Sequence, residues 1–334
     1  MKFTPVFVFL LTIFYAQLVI ADNAKLTRGD YKNRADVEAF IDKMAAKNIY
    51  TQQQLIELFS NVKQQKRLFK KMNNAAERKL TWAKYRKIFI TKKRINQGVK
   101  FYKENKALLD KVSAKYQVPA EIIVAIIGVE TYYGRIKGKD PVFDTLVTFA
   151  FDFPKRAKFF TSELEHFISL SKEHNVDIVK ATGSYAGAMG MPQFISSSYR
   201  SYAVDFDGDN KKDLWNSKAD ILASVANYFD MHGWHPNEGI TYPLSVKKDA
   251  HKHFKAELKP KYKYKDFTSK GLIAKGASIK PDSKVSLIDL EQKNNKHDYW
   301  VGLHNFYVIS RYNHSDLYSM AVFQLSQKIK AQMK

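Results

Sequence analysis

Residues 122–131, Ile-Ile-Val-Ala-Ile-Ile-Gly-Val-Glu-Thr, read as an apolar helical run with one glutamate, Glu130, at its end. A helix with no polar stripe has nothing to offer water, so a fold that contains it must bury it. Pro119 opens this helix, a first-turn position that suits proline. The carboxyl at the far end is expected to lose hydration. Desolvation penalises the charged form, so its pKa should rise. A carboxylic acid that keeps its proton near neutral pH can act as a general acid. A glutamate at a helix end is also an ordinary surface feature, so the run alone does not decide its role.

A glycine-rich polar stretch follows farther on, Gly183-Ser-Tyr-Ala-Gly-Ala-Met-Gly-Met-Pro-Gln-Phe194. With Glu130 it suggests an acid over a cleft for something polar and extended. Most glycoside hydrolases use two carboxylates flanking the bond. Glu121 cannot be the second. It lies nine residues before Glu130, a rotation of roughly 900° that puts it on the opposite helix face. Asp140 and Asp144 lie among Gly134, Gly138 and Pro141, on a loop whose path the sequence does not reveal. Ser184 is not in a nucleophile elbow, and no histidine pair has metal-ligand spacing on a helix.

The stretch Asp205-Phe-Asp-Gly-Asp-Asn-Lys-Lys-Asp-Leu-Trp215 has acidic residues at positions 1, 3 and 5 of a tight loop. Hard calcium favours such oxygen donors. The glycine is at position 4 rather than 6, and Asn216 stands where a bidentate glutamate is usual. Asp220 either closes a longer loop or caps the next helix. The segment Tyr307-Val-Ile-Ser-Arg-Tyr-Asn-His-Ser315 carries groups suited to sugar stacking and hydrogen bonding. It equally fits a packed strand edge.

Helical spacing recurs at Val37, Phe40, Ile41 and Met44, at Leu55, Leu58 and Phe59, over 101–115, over 156–173 and from Asp220 to His232. After Gly239 the pattern alternates. Residues 241–246 and 284–290 read as half-buried strands, and 299–303 and 305–310 as a further strand region. A last helix runs from Leu317 to Lys330. The fold class is therefore α+β, mainly helical, with a small β module near the C-terminus.

Lys2 and the apolar run from Phe3 to Ile20 read as a secretory signal peptide cut after Ala21. Left uncut, the same segment would tether the protein to a membrane. There is no cysteine, which excludes disulfides, thiolate sites and a lipid-modified N-terminal cysteine. The 55 basic side chains against 33 acidic ones give a net charge of +22. That surface attracts a polyanion, nucleic acid or an anionic cell-wall polymer. No nucleic-acid-binding motif stands out, and a solvated lysine-rich surface explains the charge equally well.

These stretches, in this order, resemble the membrane-bound lytic murein transglycosylase B family, glycoside hydrolase family 103, from about Asp30 to Gln327. The resemblance implies a lysozyme-like catalytic core at 118–238 that includes an EF-hand-like loop. An added helical module precedes it at 22–117. A β module follows at 239–304, and a segment over 305–334 returns to the core. It implies a periplasmic enzyme of cell-wall turnover that cleaves the MurNAc–GlcNAc β-1,4 bond of peptidoglycan without water. Glu130 would serve first as acid and then as base, leaving a 1,6-anhydro sugar. Ser184 and Gln193 match residues near the reacting sugar. Tyr228, Tyr307 and Tyr312 match aromatic cleft residues, and Tyr85, Lys155 and Arg156 match the lining of glycan or peptide subsites. Asp205, Asp207, Asp209, Lys211 and Asp220 match a structural calcium site. Lys155 stands where a second arginine is common, and lysine cannot form the same bidentate pair with a carboxylate. Phe159 replaces a tyrosine, and the calcium loop is one residue longer. Glycan strands are the expected partner, cell-wall synthesis enzymes are candidates, and neither nucleic acid nor a lipid anchor is expected.

Two rivals stand beside this reading. A hydrolytic muramidase would need a second carboxylate, Asp140 or Asp144. A non-catalytic peptidoglycan-binding scaffold would have no use for Glu130, Ser184 and Gln193 together.

Overall fold

The structure, a computed structural model, describes residues 25–73 and 80–333. The expected signal peptide, residues 1–21, lies outside them. Among the described residues no single helix is long and apolar enough to cross a membrane. The chain forms two compact units, one ending at Asn61 and the other running from Val62 onward.

The first unit pairs α1 (Ala35–Ala45) with α2 (Gln52–Ser60). Val37, Phe40, Ile41 and Met44 are buried along one stripe of α1, as their spacing requires, and Phe40 meets Phe59 at 5.9 Å. Thr51 starts α2 with a capping box. Its hydroxyl accepts from Gln54 N, and the Gln54 side chain accepts from Thr51 N. Two otherwise orphaned N–H groups are satisfied in this way.

The second unit opens with α3 (Arg67–Asn73), α4 (Trp82–Phe89), α5 (Lys92–Glu104) and α6 (Lys106–Tyr116). The single helix expected over 101–115 is thus two. The Asn105 side chain donates to Phe101 O at 2.7 Å. An asparagine that offers the backbone a local alternative tends to end a helix. Gln117, in the left-handed region, stops α6 just ahead of Pro119.

Next comes α7 (Ala120–Thr131), in which Ile122 through Ile127 are at most 1% exposed. Gly128 interrupts its apolar run because the Tyr133 ring folds back onto it; a Cβ there would lie 2.6 Å from the Tyr133 hydroxyl. Beyond α7 come β1 (Asp140–Pro141), α8 (Val142–Asp152), α9 (Ala157–Glu173), β2 (Thr182–Gly183), α10 (Ser196–Tyr202) and α11 (Lys218–Met231). β1 and β2 form a two-residue antiparallel ladder, and single bridges from Gly183 to Met189 and from Met189 to Phe194 coil the glycine-rich stretch beside it.

The chain then builds β3 (Thr241–Val246), β4 (Tyr262–Lys263), α12 (Tyr264–Lys270), β5 (Leu272–Ala274), β6 (Lys284–Glu291) and β7 (His297–Gly302). The five strands form one antiparallel sheet in the order β4-β6-β7-β3-β5. β6 is covered on both faces rather than one. Val285 and Leu287 enter the cluster around Phe267, while Ile288 and Leu290 enter another with Trp82, Phe306 and Met320.

The chain closes with α13 (His304–Tyr312) and α14 (Asp316–Lys330). Residues 305–310, expected as a strand, are therefore helical. Their aromatic and β-branched content favours a strand, but tertiary burial overrides it. Asn305, Phe306, Val308, Ile309 and Ser310 are all buried. The Asn305 amide also locks the start of α13 by donating to the carbonyls of His235 and Glu238.

α14 crosses α7 in the opposite direction. Lys330 near its end pairs with Glu121 at 2.8 Å, and Tyr318 near its start reaches Glu130. The last segment of the chain thereby covers the most apolar helix among the described residues.

Candidate active site

Glu130 occupies the last turn of α7 and is half-buried. The Tyr318 hydroxyl donates to its Oε1 at 2.5 Å. Tyr318 is 2% exposed and stacks on Tyr312 at 6.4 Å with 11° between the rings. Burial, with the Glu130 charge second, pushes both phenols well above their ordinary range. They therefore stay neutral, and Tyr318 acts as a fixed hydrogen-bond donor. Nothing in the local spacing points to Tyr318, which lies 188 residues from Glu130.

Glu130, Ser184 and Gln193 line one cavity of about 630 Å³, together with Arg67, Lys71 and Lys139. That volume is ordinary for a ligand site. The β1–β2 ladder builds one wall. Gly138, at φ +85°, approaches so closely that a Cβ would fall 2.0 Å from the Gly183 carbonyl oxygen. The Ser184 Oγ accepts from Ala186 N and Ala188 N, so the hydroxyl proton remains for another partner. Gln193, at φ +54°, donates its amide nitrogen to Gly190 O and Lys137 O. Its amide oxygen is the group it can still offer.

Asp140 also lines this cavity, but it is buried and paired with Arg67 at 2.5 Å. Asp144 opens α8 and is not in the cavity wall.

Gln193 also lines a second cavity of about 350 Å³ with Phe194, Tyr228, His232, Arg311 and Tyr312. The aromatic cluster there is held by its polar tips. Tyr228 donates to Arg311 O at 2.5 Å, and Tyr312 donates to Pro192 O at 2.6 Å. The rings of Tyr228 and Tyr312 lie 4.8 Å apart.

Other residues singled out from the sequence lie elsewhere. Tyr85 is 2% exposed and packs with Trp82 and Phe89 in the cluster beneath α14. It offers a ligand no face. Tyr307 is half-buried on α13 and lines neither cavity. Lys155 and Arg156 are exposed on a short 3-10 turn before α9, with the Arg156 guanidinium 4.0 Å above the Phe159 ring.

In the acidic loop the carboxylates of Asp205, Asp207 and Asp209 bring oxygens within 4.8 Å of one another. Asp220 is outside that group. It has no exposed surface, and its two oxygens accept from Phe206 N and Asp213 N, bracing both sides of the loop. Burial raises its pKa against these bonds. Ser217 rather than Asp220 caps α11, accepting from Asp220 N. Lys211 can offer a cation only its main-chain carbonyl, the usual contribution at loop position 7.

Comparison with known proteins bears on this arrangement. The transglycosylase SLT domain family matches residues 32–327. The chain is similar to the membrane-bound lytic murein transglycosylase B of Escherichia coli K12, with 38% identity over 310 residues that cover 90% of this chain and 84% of the relative. The catenated lytic transglycosylase SltB1 of Pseudomonas aeruginosa superposes with a TM-score of 0.86 at 40% identity, covering 91% of this chain and 100% of that one. The Escherichia coli lytic transglycosylase Slt35 in complex with calcium gives 0.84 at 38% identity, covering 92% and 96%. SltB3 of Pseudomonas aeruginosa in complex with NAG-anhNAM-pentapeptide gives 0.77 at 28% identity, covering 88% and 78%.

Two half-buried histidines should make the stability of the fold depend on pH. Burial lowers the pKa of His232 below 6.5, against its bond to Tyr228 O, and burial with nearby Lys212 lowers that of His174. A depressed histidine binds fewer protons folded than unfolded. Its contribution is complete above pH 6.5 and is lost as pH falls through the folded value. The melting temperature should therefore drop between about pH 7 and pH 5, and His174→Gln/His232→Gln should flatten that drop. An equal slope in the double variant would show that these groups do not couple to folding.

Proposed function

The chain belongs to the transglycosylase SLT family and is a lytic murein transglycosylase, a lyase acting on peptidoglycan, and from that premise we propose that Glu130 alone supplies both acid and base for its reaction. Protonated Glu130 donates to the glycosidic oxygen as the bond from MurNAc C1 to the GlcNAc oxygen breaks. The C6 hydroxyl of the same MurNAc attacks C1, and its proton passes to the Glu130 carboxylate. The products are a free GlcNAc hydroxyl and a 1,6-anhydroMurNAc end. No water is consumed, so no second carboxylate is needed to activate one.

The observation that carries this reading is the company Glu130 keeps. Ser184 and Gln193 share its cavity, and the other carboxylate in that wall among the described residues, Asp140, is bound to Arg67. An aspartate whose oxygen is already bound to a guanidinium is poorly placed to take up a water for the hydrolytic alternative. The Tyr318 bond to Oε1 fixes the orientation of the carboxyl. The relative SltB3, solved with NAG-anhNAM-pentapeptide, is compatible with an anhydro product here. We place the enzyme in the periplasm, with residues 1–21 as its export signal and a membrane tether if that signal is kept.

Asp205, Asp207, Asp209 and the Lys211 carbonyl would hold calcium. The three carboxylates converge closely enough for one hard cation. The ion would tie the loop together and supply no chemistry to the sugar.

Glu130→Gln preserves shape and removes the acid. Turnover of purified peptidoglycan should fall by roughly 10²–10⁴-fold or more, at an unchanged melting temperature. Residual activity within a few-fold of the parent would mean that another group is the acid. Chelation of calcium should lower the melting temperature by several degrees, since a ligand at about 100 times its Kd adds about 2.7 kcal/mol. Asp207→Asn/Asp209→Asn should abolish that response. Indifference of the parent protein to chelator would leave the loop without a metal role.

A further inference from the structure

Strand β3 changes partner halfway along. Thr241, Tyr242 and Pro243 pair with Gly302, Val301 and Trp300 of β7. Leu244, Ser245 and Val246 pair instead with Ala274, Ile273 and Leu272 of β5, on the other edge. β7 meanwhile extends back to His297 in register with β6. Continued, the β3–β7 ladder would set residues 244–246 against 299–297. Among the described residues no ladder joins these segments. They diverge and line a cavity of about 670 Å³. The fork begins at Pro243, which has no N–H to give a ladder and favours the end of a pairing.

The fork has a definite chemistry. Two facing strand edges end their mutual pairing there, which is the arrangement that accepts an added extended chain. Lys247, Lys248 and Lys275 line it and are exposed. Among the described residues none of the three has an ion-pair partner, whereas the acids in the same wall are engaged. Asp249 pairs with Lys252 at 2.8 Å, and Asp298 accepts from Gln292 at 2.5 Å. The Tyr299 ring in the fork is already covered by His251 at 4.5 Å and 21°. A sugar would need that face for stacking, so the fork suits a peptide better than a glycan.

We infer that the fork between β3 and β7 is a second wall-binding site, which takes an acidic stem peptide of peptidoglycan as an extended segment between the two strands. Its carboxylates meet Lys247, Lys248 and Lys275. The inference rests on peptidoglycan as the substrate and not on the assignment of Glu130. Tethering by a second site raises the effective concentration of glycan at the first. The enzyme would then stay on the wall between cuts.

The test uses the full chain carrying Glu130→Gln, pulled down on ice either with intact insoluble peptidoglycan or with bead-fixed glycan strands freed of peptides by an amidase. Lys248→Glu/Lys275→Glu is compared with Lys103→Glu/Lys111→Glu, an equal charge change on exposed lysines of α5 and α6. The fork variant should bind intact peptidoglycan roughly tenfold more weakly. The control should bind it nearly as the parent does, and all three should bind stripped glycan alike. With Glu130 restored, the fork variant should turn over short soluble glycan at the parental rate. Equal losses in fork and control variants, an undiminished fork variant, or the same loss on stripped glycan would each overturn the proposal. Slowed turnover of soluble glycan would do so too. Digestion of the wall by the Glu130→Gln protein would count against the catalytic assignment alone, because binding on ice still separates the two lysine pairs.

Discussion

The structure depends on one helix that cannot face water. Six consecutive side chains of α7, Ile122 to Ile127, are essentially without exposure. Each large apolar side chain withdrawn from water contributes about 1.5–3 kcal/mol, so the rest of the second unit is arranged to cover this helix. α14 supplies much of that cover from the far end of the chain. It is pinned at both ends, by Lys330 on Glu121 and by Tyr318 on Glu130. The contact that closes the core is also the contact that holds the acid. Glu130 therefore inherits the rigidity of the packing, as the proposed role of a positioned acid requires.

The walls follow the same logic. The glycine-rich stretch is tied by single bridges at Gly183, Met189 and Phe194, and by Thr131, whose hydroxyl donates to Met191 O at 2.9 Å. Thr131 is the residue next to Glu130, so this bond ties the helix end directly to the stretch that carries Gln193. This is the lysozyme-like lytic transglycosylase fold shared with SltB1 and Slt35. The β module stands apart from that chemistry, which is why its forked sheet calls for an explanation of its own.

Much of this was legible because local chemistry was unambiguous. A run without polar residues could only be buried, and the alternation over 241–246 and 284–290 marked strands, although β6 is covered on both faces. Glu130, Ser184 and Gln193, grouped by the family resemblance, line one cavity. What stayed hidden depended on distant partners. Residues 305–310 read as a strand by propensity, and only burial on successive sides and the Asn305 bonds to the 235–238 turn make them a helix. Asn105 broke a continuous helical pattern through its own side chain. Tyr318 carried no signal, because its importance lies in the return of α14 to α7. Tyr85 is buried rather than cleft-lining, since the cluster with Phe306 and Met320 closes over it. Spacing left Asp220 between distal ligand and helix cap, and the resemblance made it the ligand, yet both its oxygens brace the loop's backbone.

The central claim is that one carboxyl suffices because the substrate supplies its own nucleophile. Mass spectrometry of the soluble products from purified peptidoglycan digested with residues 22–334 tests it most directly. The account predicts fragments ending in 1,6-anhydroMurNAc, each one water lighter than the corresponding reducing sugar. Reducing MurNAc ends would contradict it, and would require a second base that Asp140, held by Arg67, is poorly set to provide.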